Sequence, residues 1–299
     1  MKATIIAFSF FILTQPVSAA NNNASTGLPF LKLGIGARAL GMGEAYSALS
    51  EDVSGVFYNP AGISWGEENE ITLMHKSWAF GTSTEFLGST LHTNNVTVGL
   101  GLNSTSVDDI EIRQQPGPSL GTFALHDFYA SATVSWRVDT SISLGVTSKF
   151  LYEKIFIDES QGFGLDLGAR YQFERNWSLA AVLSNLGAMS TLLNEAEKLP
   201  TAFRCGVAFH NSISDKYEVT VSGDYIKVFR DNGSRVHMGG EITYDKIIAL
   251  RTGYQFGYEA KNWSTGFGIC HGPLRFDYAF VPFMEQLGNT HTFALTFSL

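Results

Sequence analysis

From residue 70 to the C-terminus, apolar residues alternate with small or polar ones at a period of two in one segment after another. At 201–210, Phe203, Cys205, Val207 and Phe209 alternate with Arg204, Gly206, Ala208 and His210. At 289–299, Phe293, Leu295, Phe297 and Leu299 oppose Thr292, Ala294, Thr296 and Ser298. Segments of this kind form strands of a sheet with one apolar face. About fourteen are legible, at 70–76, 84–92, 96–104, 122–136, 140–153, 162–173, 176–184, 201–210, 217–228, 234–244, 247–256, 263–270, 274–280 and 289–299. The fourth shifts phase near Asp127, where a bulge is expected.

Composition indicates which way the apolar face looks. Only 16% of residues are charged, against about 25% in an average soluble domain, and no run reaches the ~18 apolar residues of a membrane helix. The second face is rich in Gly, Ala, Ser and Thr, which suits a crowded interior better than a water-washed surface. The expected fold is therefore an all-β, antiparallel transmembrane barrel with its apolar face toward outer-membrane lipid. A soluble two-sheet sandwich is the alternative. Connection lengths favour the barrel: even-numbered ones are short (93–95, 137–139, 174–175, 211–216, 245–246, 271–273) and odd-numbered ones long (106–121, 154–161, 185–200, 281–288), as membrane barrels arrange their two ends. Trp136, Tyr152, Tyr171, Phe173, Trp177, Tyr244, Tyr258 and Trp263 stand near strand ends, as interfacial girdles require.

Residues 1–20 place Lys2 before an apolar run at 3–13 and end in Pro16, Val17, Ser18, Ala19 and Ala20, the order of an export signal. Loss of Lys2 with that signal takes the formal charge from −8 to −9, which argues against a nucleic-acid partner. Cys205 and Cys270 lie in strand-like runs and read as small apolar side chains, although export permits a bridge. The organisation expected is a signal at 1–20, a plug at 21–69 and a barrel at 70–299.

Residues 30–64, FLKLGIGARALGMGEAYSALSEDVSGVFYNPAGIS, differ from everything after them. Gly34, Gly36, Gly41, Gly43, Gly55 and Gly62 interleave with Ala37, Ala39, Ala45 and Ala48, a density of small residues that allows close backbone approach. Asp52 is placed to cap a short helix through Phe57 and Tyr58, and Asn59 before Pro60 is pushed out of the helical region. Gly34-Ile-Gly36-Ala-Arg-Ala39 also fits a dinucleotide fingerprint, but the strand-and-helix alternation that would confirm it is missing.

The phrase from Gly36, Arg38, Gly41, Gly43 and Glu44 to Asn59-Pro60-Ala61 resembles the N-terminal signature of the PorV/PorQ outer-membrane family, itself similar to FadL-like fatty-acid transporters. Asn185-Leu186-Gly187, Leu199-Pro200-Thr201, Leu250-Arg251-Thr252-Gly253-Tyr254 and Arg275-Phe276-Asp277-Tyr278 extend the resemblance along the chain. It implies a plug inside a fourteen-stranded barrel and two roles. One is association with type IX secretion, with machinery subunits or exported cargo as partners. The other is a channel for hydrophobic small molecules such as long-chain fatty acids.

Nothing points to catalysis or a cofactor. There is no G-x-S-x-G elbow and no H-E-x-x-H; His237 and Glu241, on one strand face, are the one pair that could meet a neighbouring hydroxyl. By alternation, Asp166, Arg170, Arg204, Glu218, Asp224, Arg235, Glu241, Arg251, Arg275 and Asp277 point into the lumen, with Arg38 and Glu44 of the plug as their expected partners. At 185–200, Met189, Leu192, Leu193 and Ala196 have helix-like spacing, and Leu192 and Leu193 are candidates for contact with a partner.

Overall fold

The computed structural model describes residues 26–78, 81–113, 115, 117–192, 195–284 and 288–299. The export signal read at 1–20 lies outside them. Fourteen antiparallel strands close into one barrel. They are β1 (Glu70–Trp78), β2 (Thr82–Thr93), β3 (Val96–Ile112), β4 (Gly121–Arg137), β5 (Ile142–Ile155), β6 (Asp158–Glu174) and β7 (Trp177–Met189), then β8 (Ala202–Ser214), β9 (Tyr217–Val228), β10 (Arg235–Tyr244), β11 (Ile248–Phe256), β12 (Trp263–His271), β13 (Leu274–Pro282) and β14 (Asn289–Ser298). Each strand pairs with its chain neighbours, and β1 pairs with β14 from Glu70↔Ser298 to Ser77↔His291.

Alternation is expressed directly as burial. On β1, Glu70, Thr72, Met74 and Lys76 are buried, whereas Ile71 and Leu73 are 40% and 56% exposed. The exposed positions are apolar and the buried ones often polar, the reverse of a soluble fold. The shortest strands have 9 residues, about what a tilted strand needs to cross hydrocarbon.

Four local expectations are corrected. The bulge lies in β3, not at Asp127: the β3–β4 register shifts between Val107 and Ile110, with Asp109 left-handed at φ 57°, while Asp127 and Tyr129 of β4 are both buried in phase. Pairing resumes beyond it at Ile110↔Phe123, so strand replaces much of the loop read at 106–121. The loop read at 154–161 is a tight turn, since Ile155 pairs with Asp158. At 185–200 the helix-like spacing is overruled by sheet pairing: Met189 continues β7 opposite Gly162 and is buried, and half-buried Leu192 belongs to a two-residue ladder between Thr191–Leu192 and Glu195–Ala196. Leu193 lies outside the described residues.

Inside the barrel run a 3-10 turn (Pro29–Lys32), α1 (Ala37–Gly41), α2 (Gly55–Tyr58) and a second 3-10 turn (Gly62–Trp65). One end of this segment meets the long connections, where the Gly27 amide donates to the Lys198 carbonyl at 3.0 Å and Leu28, Phe30 and Leu31 pack with Tyr129, Leu151, Met189 and Leu199. The other end meets the short turns, where Trp65 donates to the Ser143 hydroxyl at 2.8 Å. Asp52 does not cap α2. Its Oδ1 accepts from the Ser54 amide at 2.9 Å and its Oδ2 from the Tyr46 hydroxyl at 2.6 Å, leaving Ser54 as the helix N-cap.

Aromatic rings ring the outer wall at both levels: Trp177 with Phe209 (4.8 Å between centroids) near the short turns, Trp263 with Phe280 (5.9 Å) near the long connections. Tyr258 is not among them. Gly257, at φ +88°, turns the chain, and the Tyr258 hydroxyl reaches inward to His237 Nε2 at 3.1 Å.

A barrel closed by an unbroken ladder is expected to resist detergent until heated. Unboiled protein should migrate faster than boiled protein on a denaturing gel, and identical migration would contradict closure.

Candidate functional site: the plugged lumen

The wall receives the plug by omitting side chains. A Cβ on Gly253 of β11 would lie 2.1 Å from the Gly43 amide nitrogen, and Gly43 itself is left-handed at φ +64°. On the opposite wall, a Cβ on Gly145 of β5 would lie 2.3 Å from the Pro60 carbonyl carbon, and one on Gly168 of β6 would lie 2.2 Å from Asn59 Oδ1. Backbone thus lies on backbone at Gly253 and at Gly145. Gly36 precedes α1 at φ +77°, and Gly41, at its end, faces Gly266.

Asn59 is fully buried and spans plug and wall. Its Nδ2 donates to the Ser47 carbonyl at 2.9 Å, and its Oδ1 accepts from the Ala61 amide at 3.0 Å. The Ala61 carbonyl accepts from Ser135 at 3.1 Å and Ser143 at 2.8 Å. These contacts fix the chain around Pro60 before it enters β1.

Charged side chains form one continuous chain at the short-turn end. Arg38 donates to Glu241 at 2.6 and 3.0 Å, and Arg251 links Glu241 to Asp277, the latter at 2.6 Å. Arg275 bonds Asp277 at 3.2 Å and lies 3.3 Å from Glu70 and 3.8 Å from Asp52. Plug residues Arg38 and Asp52 are therefore bound to β1, β10, β11 and β13 by one network. Farther up the lumen, Asp224 pairs with Arg204 at 3.1 Å and accepts from the Tyr46 and Ser47 amides.

Glu44 is the polar centre of the upper plug. It is left-handed at φ 61°, a conformation costing a non-glycine residue about 1–2 kcal/mol. Lys261 donates to its carboxylate at 2.9 Å and Gln255 at 3.1 Å, while Arg204 bonds its carbonyl at 2.9 Å. Burial alone would raise the Glu44 carboxyl, but Lys261 and Arg204 hold it well below the usual carboxylate range.

The remaining lumen charges form separate local pairs. Asp166 pairs with Lys149 at 2.6 Å beside Asn185; Arg170 pairs with Glu51 at 2.6 Å; Arg235 shares Asp231 with Lys32. Glu218 has the inward parity but forms no ion pair among the described residues, near the open end of β9. Lys76, Lys149, Glu70, Asp127 and Glu153 also lie buried inside. Extending the alternation through β1, β4 and β5 would have found them. Lys261 could not be found that way, because it sits in a connection. His237 and Glu241 do not cooperate: His237 bonds Tyr258, and Glu241 is locked between two arginines.

Cavities show where the lumen is tight. Those beside Glu44 hold about 30 and 60 Å³, room for a few waters at most. One of about 400 Å³ opens around Trp65 at the short-turn end. On the outer wall, a depression of about 410 Å³ crosses six strands, β13, β14 and β1 to β4, lined by Leu73, Leu87, Leu102, Phe276, Phe293 and Leu295, with the His75–Glu85 contact of 2.6 Å among its lining.

No family model and no curated protein matches the chain. Solved structures do match in fold. The toluene transporter TodX of Pseudomonas putida superposes with a TM-score of 0.64 at 13% identity, covering 89% of this chain and 98% of the transporter. The toluene transporter TbuX of Ralstonia pickettii gives 0.63 at 12% identity, covering 89% and 98%. A FadL homologue of Pseudomonas aeruginosa gives 0.52 at 12% identity, covering 87% and 97%.

Two outcomes follow for the plug. Glu241→Ala leaves Arg38 and Arg251 facing one another without their shared carboxylate, an expected loss of about 3 kcal/mol; trypsin should then cut at Arg38 in the folded barrel, and full protection would contradict the network. The Glu44 contribution, from a depressed carboxyl, is present at neutral pH and lost as pH falls below the ordinary 4.5 toward the depressed value. Acidification should release the upper plug less readily in Glu44→Gln, which has no such proton to gain, than in the unaltered protein. Protease protection measured down the pH series checks this.

Proposed function

We propose that this chain is an outer-membrane channel for small apolar molecules, closed at rest by its plug, with the short turns in the periplasm. The fold likeness to the two toluene transporters, over 89% of the chain, carries the reading. The apolar outer wall supports a membrane location, and the depression across β13 to β4 offers an apolar surface where such a solute could meet the barrel. Plug motif residues Gly36, Gly41, Gly43, Asn59, Pro60 and Ala61 act in this reading as the seat. Arg38 and Glu44 act as the charged latches.

A secretion role, the other implication of the family resemblance, would use the long-connection end. What favours it is the protruding β3–β4 and β5–β6 hairpins, whose tips expose Leu120, Phe156 and Ile157 at 68%, 54% and 76%. Leu192 is half-buried and so is the weaker candidate for contact with cargo.

Uptake of labelled toluene and of labelled oleate separates the readings. Cells with a lipopolysaccharide outer membrane, freed of similar channels, should take up at least one solute faster when they express this chain. Rates equal to the empty-vector control for both would reject the channel.

A further inference from the structure

Beyond the contacts that seat the plug, the cavity of about 400 Å³ at the short-turn end has an unusual balance of donors. It is lined by Arg38, Arg170 and Arg175 with a single carboxylate, Glu51, in a chain of formal net charge −8. Arg38 is already satisfied by Glu241. Arg175 forms no ion pair among the described residues and is exposed.

Arg170 is only 4% exposed. Its Nη2 donates to Glu51 at 2.6 Å and to Gln172 at 3.3 Å, but its Nε and Nη1 have no acceptor. Its guanidinium lies 4.8 Å from the centroid of the Trp65 ring, and that of Arg137 lies 4.6 Å from it. Arg137 repeats the pattern: Nη2 donates to the Ser64 carbonyl at 2.6 Å, and Nε has no acceptor.

A buried donor without an acceptor is destabilising, and more so when it is charged. Arg170 is held in that condition on the cavity lining, and Arg137 is held in it against the Trp65 ring, so the place is short of acceptors. Glu51 supplies one, from a side chain 45% exposed to solvent and so free to turn away. A planar guanidinium with two unpaired, buried N–H groups matches an oxyanion in charge and in fork geometry once Glu51 turns away. Trp65, on the same lining, supplies an apolar face beside that charge.

We propose that this cavity binds an oxyanion, a carboxylate or a phosphate, seated on Arg170 and guided in by Arg175, with Glu51 as the internal competitor it displaces. The inference goes beyond channel activity: a chain that moved no apolar solute would still bind the anion.

The test is calorimetry on the full chain, folded in non-ionic detergent, with sodium benzoate and inorganic phosphate as separate probes. At least one should bind, less tightly as salt rises. Arg170→Gln should weaken that binding about tenfold or more, and Glu51→Gln should strengthen it severalfold. Should Arg170→Gln disturb the plug, Arg175→Gln at the exposed rim keeps the question open to measurement, with an expected loss of severalfold in an otherwise unaltered fold. The tighter-bound probe identifies the source: benzoate binding tighter than phosphate and weakened by Trp65→Phe identifies an organic carboxylate, whereas phosphate binding tighter than benzoate identifies a phosphate. Absence of binding by both probes, or equal affinity in the unaltered chain, Arg170→Gln and Arg175→Gln, would overturn the proposal.

Discussion

The seam between β1 and β14 is the contact on which the rest of the barrel depends. An open sheet in hydrocarbon would leave two edges of unpaired amides and carbonyls, each costing several kcal/mol. The register from Glu70↔Ser298 to Ser77↔His291 removes both edges together. It also commits the sequence to an inside and an outside. Once Ile71 and Leu73 face outward, Glu70, Thr72 and Lys76 must face in, so the lumen is polar and has to be filled with something that satisfies it.

The plug does this by two separable means. Close contact comes from glycine, on both surfaces at Gly43 with Gly253 and on the wall alone at Pro60 with Gly145, where one methyl group would force the backbones apart. Charge compensation comes from pairing across the gap. A buried ion pair adds little net stability compared with an apolar pair, yet leaving one partner behind costs about 3–5 kcal/mol. The chain from Arg38 through Glu241, Arg251, Asp277 and Arg275 to Glu70 and Asp52 therefore enforces one placement of the plug rather than simply strengthening it.

The barrel was legible because its rule is local. A period of two needs only a few residues to declare itself, and all fourteen strands fall where alternation put them. Strand ends were not legible, since Ile110↔Phe123 and Gly162↔Met189 hold by pairing across strands that no single segment reveals. The inward parity of Asp166, Asp224 and Arg251 could be read in the same way, while which lumen charges pair with which, and Lys149 as the partner of Asp166, could not. Lys261 and Tyr258 lie in a connection without period, and they meet Glu44 and His237 only because Gly257 turns the chain inward. The depression on the outer wall arises from six strands and has no signature in any one of them.

Firmness is unevenly distributed along the plug. Around Asn59 the plug backbone is tied to the wall by Ser135, Ser143 and Ser178, all buried, and leaving would orphan several carbonyls at once. The stretch before Gly34 is held differently. Leu28, Phe30 and Leu31 rest on apolar neighbours, the Gly27 amide makes one backbone bond, and Lys32 reaches Asp231 through a pair partly open to solvent, worth at most about 1 kcal/mol. Apolar contact can be exchanged for another apolar contact without stranding a polar group, whereas the bonds around Asn59 cannot. The least costly way to open the lumen is therefore to move the segment ahead of Gly34 and leave Asn59-Pro60-Ala61 in place. That puts the movable part of the plug at the end where the cavities beside Glu44 are narrowest.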